Sequence, residues 1–173
     1  MTQPTKKYYE VHWNVTIDGE PATIKLNGLY ESSETTEEAV MLEIDADQDL
    51  LGIDFIGYPD DDEEHDVVWE GLPVVDAVAD DAVRQITVTW KAFTPRDDRE
   101  VTSVTILVAS TDTDLQLCER LFRDTNLYQG ELWDAIEPGL SPKRTHTALS
   151  VGDEVSINGR RYTCADIGWE PVI

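Results

Sequence analysis

The chain has 173 residues, with 36 Asp and Glu against 13 Lys and Arg, and a formal charge of −23. Such a surplus excludes a general nucleic-acid binder, which needs a basic face to displace counterions. No run of ~18 apolar residues is present, so no membrane span is expected. Forty per cent apolar residues, with five Trp, six Tyr and three Phe, suffice for a packed core in one domain or two small ones.

Residues 1–10 carry two lysines but no apolar stretch and no small-residue cleavage site, so no signal peptide is expected. Residues 8–17 alternate, with Tyr9, Val11, Trp13, Val15 and Ile17 on one face and Glu10, His12, Asn14 and Thr16 on the other. This pattern predicts a half-buried strand. Asp18-Gly19 suits a tight turn, and residues 22–30 are expected to return as the second strand of a hairpin.

Residues 33–51 change period. Thr35 and Glu38 have capping-box spacing, and Val40, Met41, Ile44 and Leu51 can share a helical face. A strand through Val40, Leu42 and Ile44 is the competing reading. A short strand is expected over 52–58, a loop through the acid run after Pro59, and no long element over 67–83, where Gly71 and Pro73 interrupt. Residues 86–93 and 101–109, rich in Val, Ile and Thr, predict an antiparallel pair joined by a loop at 95–98.

Thr111 or Thr113 can cap a helix with Leu115, Cys118, Leu121 and Phe122 as its apolar stripe. A short helix over 131–137 should stop before Pro138, and residues 154–165 predict a hairpin turning at Asn158-Gly159. Cys118 and Cys164 fall on expected apolar positions outside any C-x-x-C pattern, so both are expected as buried free thiols in a reducing compartment. The whole predicts an α+β fold: an antiparallel sheet with a few helices, then a C-terminal helix pair plus β-hairpin. The expected division is an acidic β-rich domain over 1–110 and a helix-plus-hairpin module over 111–173 packed on it.

Charge is distributed unevenly. Residues 26–83 contain nineteen acids and no Lys or Arg, so they hold −19 of the −23. Dense like charge opposes compaction unless it is used or screened. Acids concentrated in one segment point to a binding face, whereas salt adaptation spreads them over the whole surface. The low count of five lysines fits the latter. B-DNA carries a negative charge per ~1.7 Å of axis. A helix rising ~1.5 Å per residue with an acid at every second or third position approaches that density. The candidate partner-binding residues are therefore Glu31, Glu34, Glu37, Glu38, Glu43, Asp45, Asp47 and Asp49, with Asp60, Asp61, Asp62, Glu63, Glu64 and Asp66 as a denser patch. The plain alternative for the 60–66 run is a solvated loop.

Chemistry finds little support. Asp45, Asp47 and Asp49 open like a calcium loop, but the required Gly and Glu positions are Leu50 and Ile56. His12, His65 and His146 lack metal-ligand spacing, and His65 lies in the acid run, which favours its charged form. No nucleotide or nucleophile motif occurs. No catalytic residue, metal or cofactor is expected, and an enzyme of unrecognised type is the weakest of the readings.

The C-terminal stretch carries Leu149, Ser150, Val151, Gly152, Asp153, Val155, Tyr162, Cys164, Gly168 and Trp169. It resembles a module of uncharacterised bacteriophage and plasmid proteins with the pattern S-L-S-V-G-D, then Y-x-C, then G-W. Glu154 departs from the usual apolar residue. The resemblance covers about the last third of the chain, with the preceding helix, and implies an origin in a mobile genetic element but no activity. The leading expectation is a non-enzymatic protein that blocks a host DNA-binding or defence protein, fitting its basic groove as a DNA mimic. Antirestriction and anti-CRISPR proteins are similar in size and charge. The alternative is a structural or accessory protein of a salt-adapted virus whose acids serve solubility. Host cytoplasm, or the virion, is the expected location.

Overall fold

In β1 (Lys7–Ile17) the predicted alternation is realised: Tyr9, Val11, Trp13 and Val15 are buried, while Glu10 and Asn14 face solvent. A computed structural model describes residues 6–47, 55–59, 61, 63–91, 103–142 and 147–173. Asp18 and Gly19 both take positive φ, 53° and 85°, as a two-residue hairpin turn requires. β2 (Glu20–Leu26) returns antiparallel with Trp13 opposite Ile24. It ends at Leu26 rather than at residue 30. Gly28 has a φ of 81°, which breaks the extended run, and Tyr30–Ser32 forms a separate β3 against the start of β1.

β1 is the hub of this sheet. β4 (Phe55–Ile56) pairs with β2, while β5 (Val67–Trp69) and β6 (Val74–Ala77) pair with β1. Tyr9 is paired with both Tyr30 and Ala77, and His12 with both Lys25 and Val74, so β6 lies on the edge of β1 opposite β2 and β3. The same reasoning at Val15, paired with Ala22 and Trp69, puts β5 beside β6. Within residues 33–51, Glu37–Asp47 forms a helix, α1, and not a strand, while Leu51 lies outside the described residues. Val40 and Ile44 are buried one turn apart and Leu42 is exposed. The cap is Thr36 rather than Thr35: its Oγ1 accepts from the Ala39 N–H at 3.3 Å. Val40 and Ile44 share one core with Tyr9, Val11, Trp13, Val15, Ile24 and Val75.

The second sheet runs in the order β11-β10-β9-β7-β8. β7 (Val83–Thr89) and β8 (Ser103–Ala109) are the expected pair, though the 95–98 loop lies outside the described residues. β9 (Glu154–Ile157) and β10 (Arg160–Cys164) form the expected hairpin, and β11 (Trp169–Pro171) closes it. β9 also pairs with β7, Val155 opposite Val88 and Ile157 opposite Ile86. That pairing draws β7 and β8 into the C-terminal sheet. The chain accordingly divides into compact units Met1–Val83 and Arg84–Ile173, not at residue 110.

α2 (Asp114–Leu127) starts at a full capping box between Thr113 and Gln116. Its buried stripe differs from the expected one: Leu117, Cys118 and Leu121 are inside, with Asp114, Asp124 and Thr125, whereas Leu115 and Phe122 are largely exposed. Three polar residues lie on the inner stripe, so apolar spacing alone sets its axis off by part of a turn. α3 (Glu131–Ile136) ends before Pro138 in a single 3-10 turn, Glu137–Gly139. Ile86, Val88, Trp90, Leu121, Ile136 and Ile157 belong to this unit's separate core. Cys118 and Cys164 are both buried and free. Burial pushes the Cys118 thiol up to about 12. Asp153, also buried, accepts from the backbone N–H of Ser150 (2.8 Å) and Lys91 (2.6 Å) and so fixes the turn before β9. No helix among the described residues is long and apolar enough to cross a membrane.

Candidate functional site

The predicted acids do not follow one helical row. Glu31 belongs to β3 and Glu34 to the connection before α1, so among the described residues only Glu37, Glu38, Glu43, Asp45 and Asp47 ride on the helix. Within α1, Glu43 and Asp45 flank the buried Ile44, and successive residues project ~100° apart, so these two point to opposite sides. Glu43 is half-buried and accepts a hydrogen bond from the Ser32 hydroxyl at 2.6 Å. Glu31, Glu34, Glu37, Glu38, Asp45, Asp61, Glu63, Glu64 and Asp66 are exposed. Asp49, Asp60 and Asp62 lie outside the described residues, as does the side chain of Asp47.

The register of β1 sorts the acids into two groups. Near its first residues, Glu31 stands opposite Tyr8, and the Tyr9 hydroxyl donates to the Glu34 carbonyl oxygen at 2.9 Å. Glu37 accepts from the Ala77 N–H at 3.3 Å, and Asp76 stands opposite Glu10. The Val78 N–H then donates to the Tyr8 carbonyl at 2.9 Å, so the chain passes the start of β1 before reaching Asp80 and Asp81. At the far end the Asp18 turn holds the acid run. The Asp66 N–H donates to Asp18 Oδ1 at 3.0 Å, and the Asp18 N–H to the Asp66 carbonyl at 2.9 Å. Glu70 lies between them, its N–H donating to the Asn14 carbonyl at 2.9 Å, so the acids run along β1, whose eleven residues at ~3.3 Å each span about 30 Å from end to end.

Sequence reasoning singled out neither Asp76, Asp80 and Asp81 nor Asp18 and Glu70. The first three and Glu70 lie inside the base-free 26–83 tract, so the charge count already contained them. Asp18 was legible only as a turn residue.

Among the described residues few of these charges are compensated by an ion pair. Lys6 pairs with Glu31, and His65 sits between two carboxylates, Nδ1 2.6 Å from Asp18 Oδ2 and Nε2 2.9 Å from Asp61 Oδ1. Hydrogen bonding to Asp18, then to Asp61, raises the His65 pKa above its ordinary 6.5. Hydrogen bonds from His65 and from the Asp66 N–H hold the Asp18 carboxyl below its ordinary range. Both imidazole nitrogens are thus committed to carboxylates. Among the described residues, no group of three or more His, Cys, Asp or Glu is arranged to hold a metal ion.

The arrangement offers two exposed carboxylate groups on an ordered β-unit, suited to attracting a cationic surface. The chain matches no protein-family model, no curated protein and no solved structure.

Proposed function

We propose that this is a non-enzymatic acidic interaction protein whose N-terminal unit occupies the basic groove of a DNA-binding or defence protein of a host cell. One observation carries the reading: a 58-residue tract with nineteen acids and no Lys or Arg contributes strands and a helix to an ordered unit, and its described acids, Glu43 apart, are exposed. The acids at the two ends of β1, ~30 Å apart, span nearly one turn of B-DNA, ~34 Å. Two such groups can therefore meet basic patches that would otherwise grip phosphates one turn apart. The C-terminal resemblance supports a phage or mobile-element origin, and two free thiols suit the reducing cytoplasm of a host.

The test is affinity capture from host lysate with the native protein and with a variant whose 26–83 acids are changed to Asn and Gln. The expected result is a DNA-binding partner held at low salt, released steeply as salt rises, and missed by the neutral variant. Retention of the same partner by the neutral variant would overturn the reading. A second reading, an accessory protein of a salt-adapted virus, is favoured by the presence of acids at both ends of β1 and not on one side alone. It expects the chain to fold only near molar salt and to appear in purified particles by mass spectrometry.

A further inference from the structure

A cleft of about 530 Å³ opens in the C-terminal unit between α2 and the turns that flank the last hairpin. That volume lies within the range of functional ligand sites. Its lining is mixed: Phe122, Leu149, Val151 and Trp169 give much of the apolar surface, and Asn126 and Ser150 add polar surface. Phe122 and Val151 are substantially exposed, at 37% and 54%. Trp169 is anchored by packing on the unit's core, so its ring is a rigid wall. The charged residues of the lining are both acids, Glu119 and Asp166, and neither is ion-paired among the described residues. Among the described residues, no lysine, arginine or histidine lines the cleft. A mixed cleft with two aromatic rings and, among the described residues, two carboxylates without an ion-pair partner favours a cation attached to an apolar body, through charge and cation–π attraction.

The cleft also borders a sheet edge that is open among the described residues. β11 is the terminal strand of its sheet. The Val172 N–H donates to the Arg161 carbonyl and the Ala165 N–H to the Gly168 carbonyl, which fixes the alternation of this ladder. Residues 168, 170 and 172 direct their main-chain groups toward β10, so Trp169 turns its own N–H and C=O outward. Pro171, the next outward-facing residue, offers only its carbonyl, so an extended backbone can pair there with Trp169 and that carbonyl while its side chains reach the cleft. We propose that this cleft binds a basic polypeptide segment in which an apolar side chain lies beside arginine or lysine. The site is separate from the N-terminal acids and independent of the function proposed for them.

The test uses the full-length protein at 0.15 M NaCl with three blocked peptides followed by NMR: acetyl-Arg-Leu-Arg-amide, the same peptide with Gly for Leu, and the same peptide with citrulline for both Arg. The first should shift the resonances of Phe122, Val151 and Trp169 and bind at least fivefold more tightly than either control. Glu119→Gln with Asp166→Asn, both exposed positions that should leave the fold intact, should weaken it about fivefold. Trp169→Ala should weaken it further. Shifts confined to the acids of the N-terminal unit, equal binding of the Gly peptide in the cleft, or unchanged binding by the double variant would each overturn the proposal.

Discussion

At the first residue of α2, Asp114 is almost fully buried and gathers three donors: Arg84, Arg160 (Nε to Oδ2, 2.9 Å) and the Tyr162 hydroxyl (2.7 Å). Arg84 is itself buried, gives a second hydrogen bond to the Asp112 carbonyl at 3.0 Å, and has no acceptor for its Nε–H among the described residues. Removing one partner of a buried pair leaves the other uncompensated. Asp114→Asn should therefore cost about 3–5 kcal/mol in urea unfolding, against about 1 kcal/mol for Tyr162→Phe. His65 gives the pH prediction. Its folded pKa is raised, so the clamp on Asp18 and Asp61 is fully present below about 6.5, the unfolded value, and is lost as pH rises through the higher folded value. Asp18 has the opposite sign: its share is present above the ordinary carboxylate range and disappears as pH falls through its lowered value. NMR titration of the His65 ring should find a midpoint above 6.5 that drops in Asp18→Asn. Cys118 and Cys164 should be silent to a thiol reagent at pH 8 and both react in denaturant, since burial raises both pKa values.

Among the elements, those with several residues of clear period were legible in the sequence. β1, the β7–β8 pair and the β9–β10 hairpin are long enough for alternation or for a turn such as Asn158-Gly159 to mark them. β3, β4, β5 and β6 span two to four residues each. No period can be read over so few positions, and these strands form because β1 or β2 offers an edge to pair with. The α2 stripe was misplaced because Asp114, Asp124 and Thr125 are satisfied inside it. Asp114 holds its donors, and the Thr125 hydroxyl donates to the Leu121 carbonyl at 2.7 Å. The candidate acids were legible as a count but not as an arrangement. Their division between the two ends of β1 depends on pairings of residues up to sixty-eight positions apart, as Tyr9 with Ala77. Thr113 supplies the element-scale test. Its side chain caps α2 and Gln116 reciprocates, so Thr113→Ala should lower stability by about 1 kcal/mol.

For the whole chain, the two units differ in charge far more than in size. Residues 1–83 sum to −19 and residues 84–173 to −4. Screening lengths shrink from ~30 Å at 0.01 M salt to ~3 Å at 1 M. Added NaCl should therefore slow hydrogen exchange in the first unit much more than in the second, as mass spectrometry of peptic fragments would read. Equal responses in both would mean that self-repulsion is not what limits the acidic unit. The division after Val83 was not legible because β7 reads like any apolar strand. Its partner β9 lies some seventy residues downstream.

Arg84 opens the second unit, and its guanidinium reaches thirty residues ahead to fasten the start of α2. Anyone excising that half for separate production must cut upstream of this arginine. A fragment begun at residue 85 keeps every apolar member of its core yet abandons Asp114 to Arg160 and Tyr162 alone. Its melting curve, set beside that of a fragment begun a few residues earlier, would weigh how much one side chain at a seam contributes to the half it belongs to.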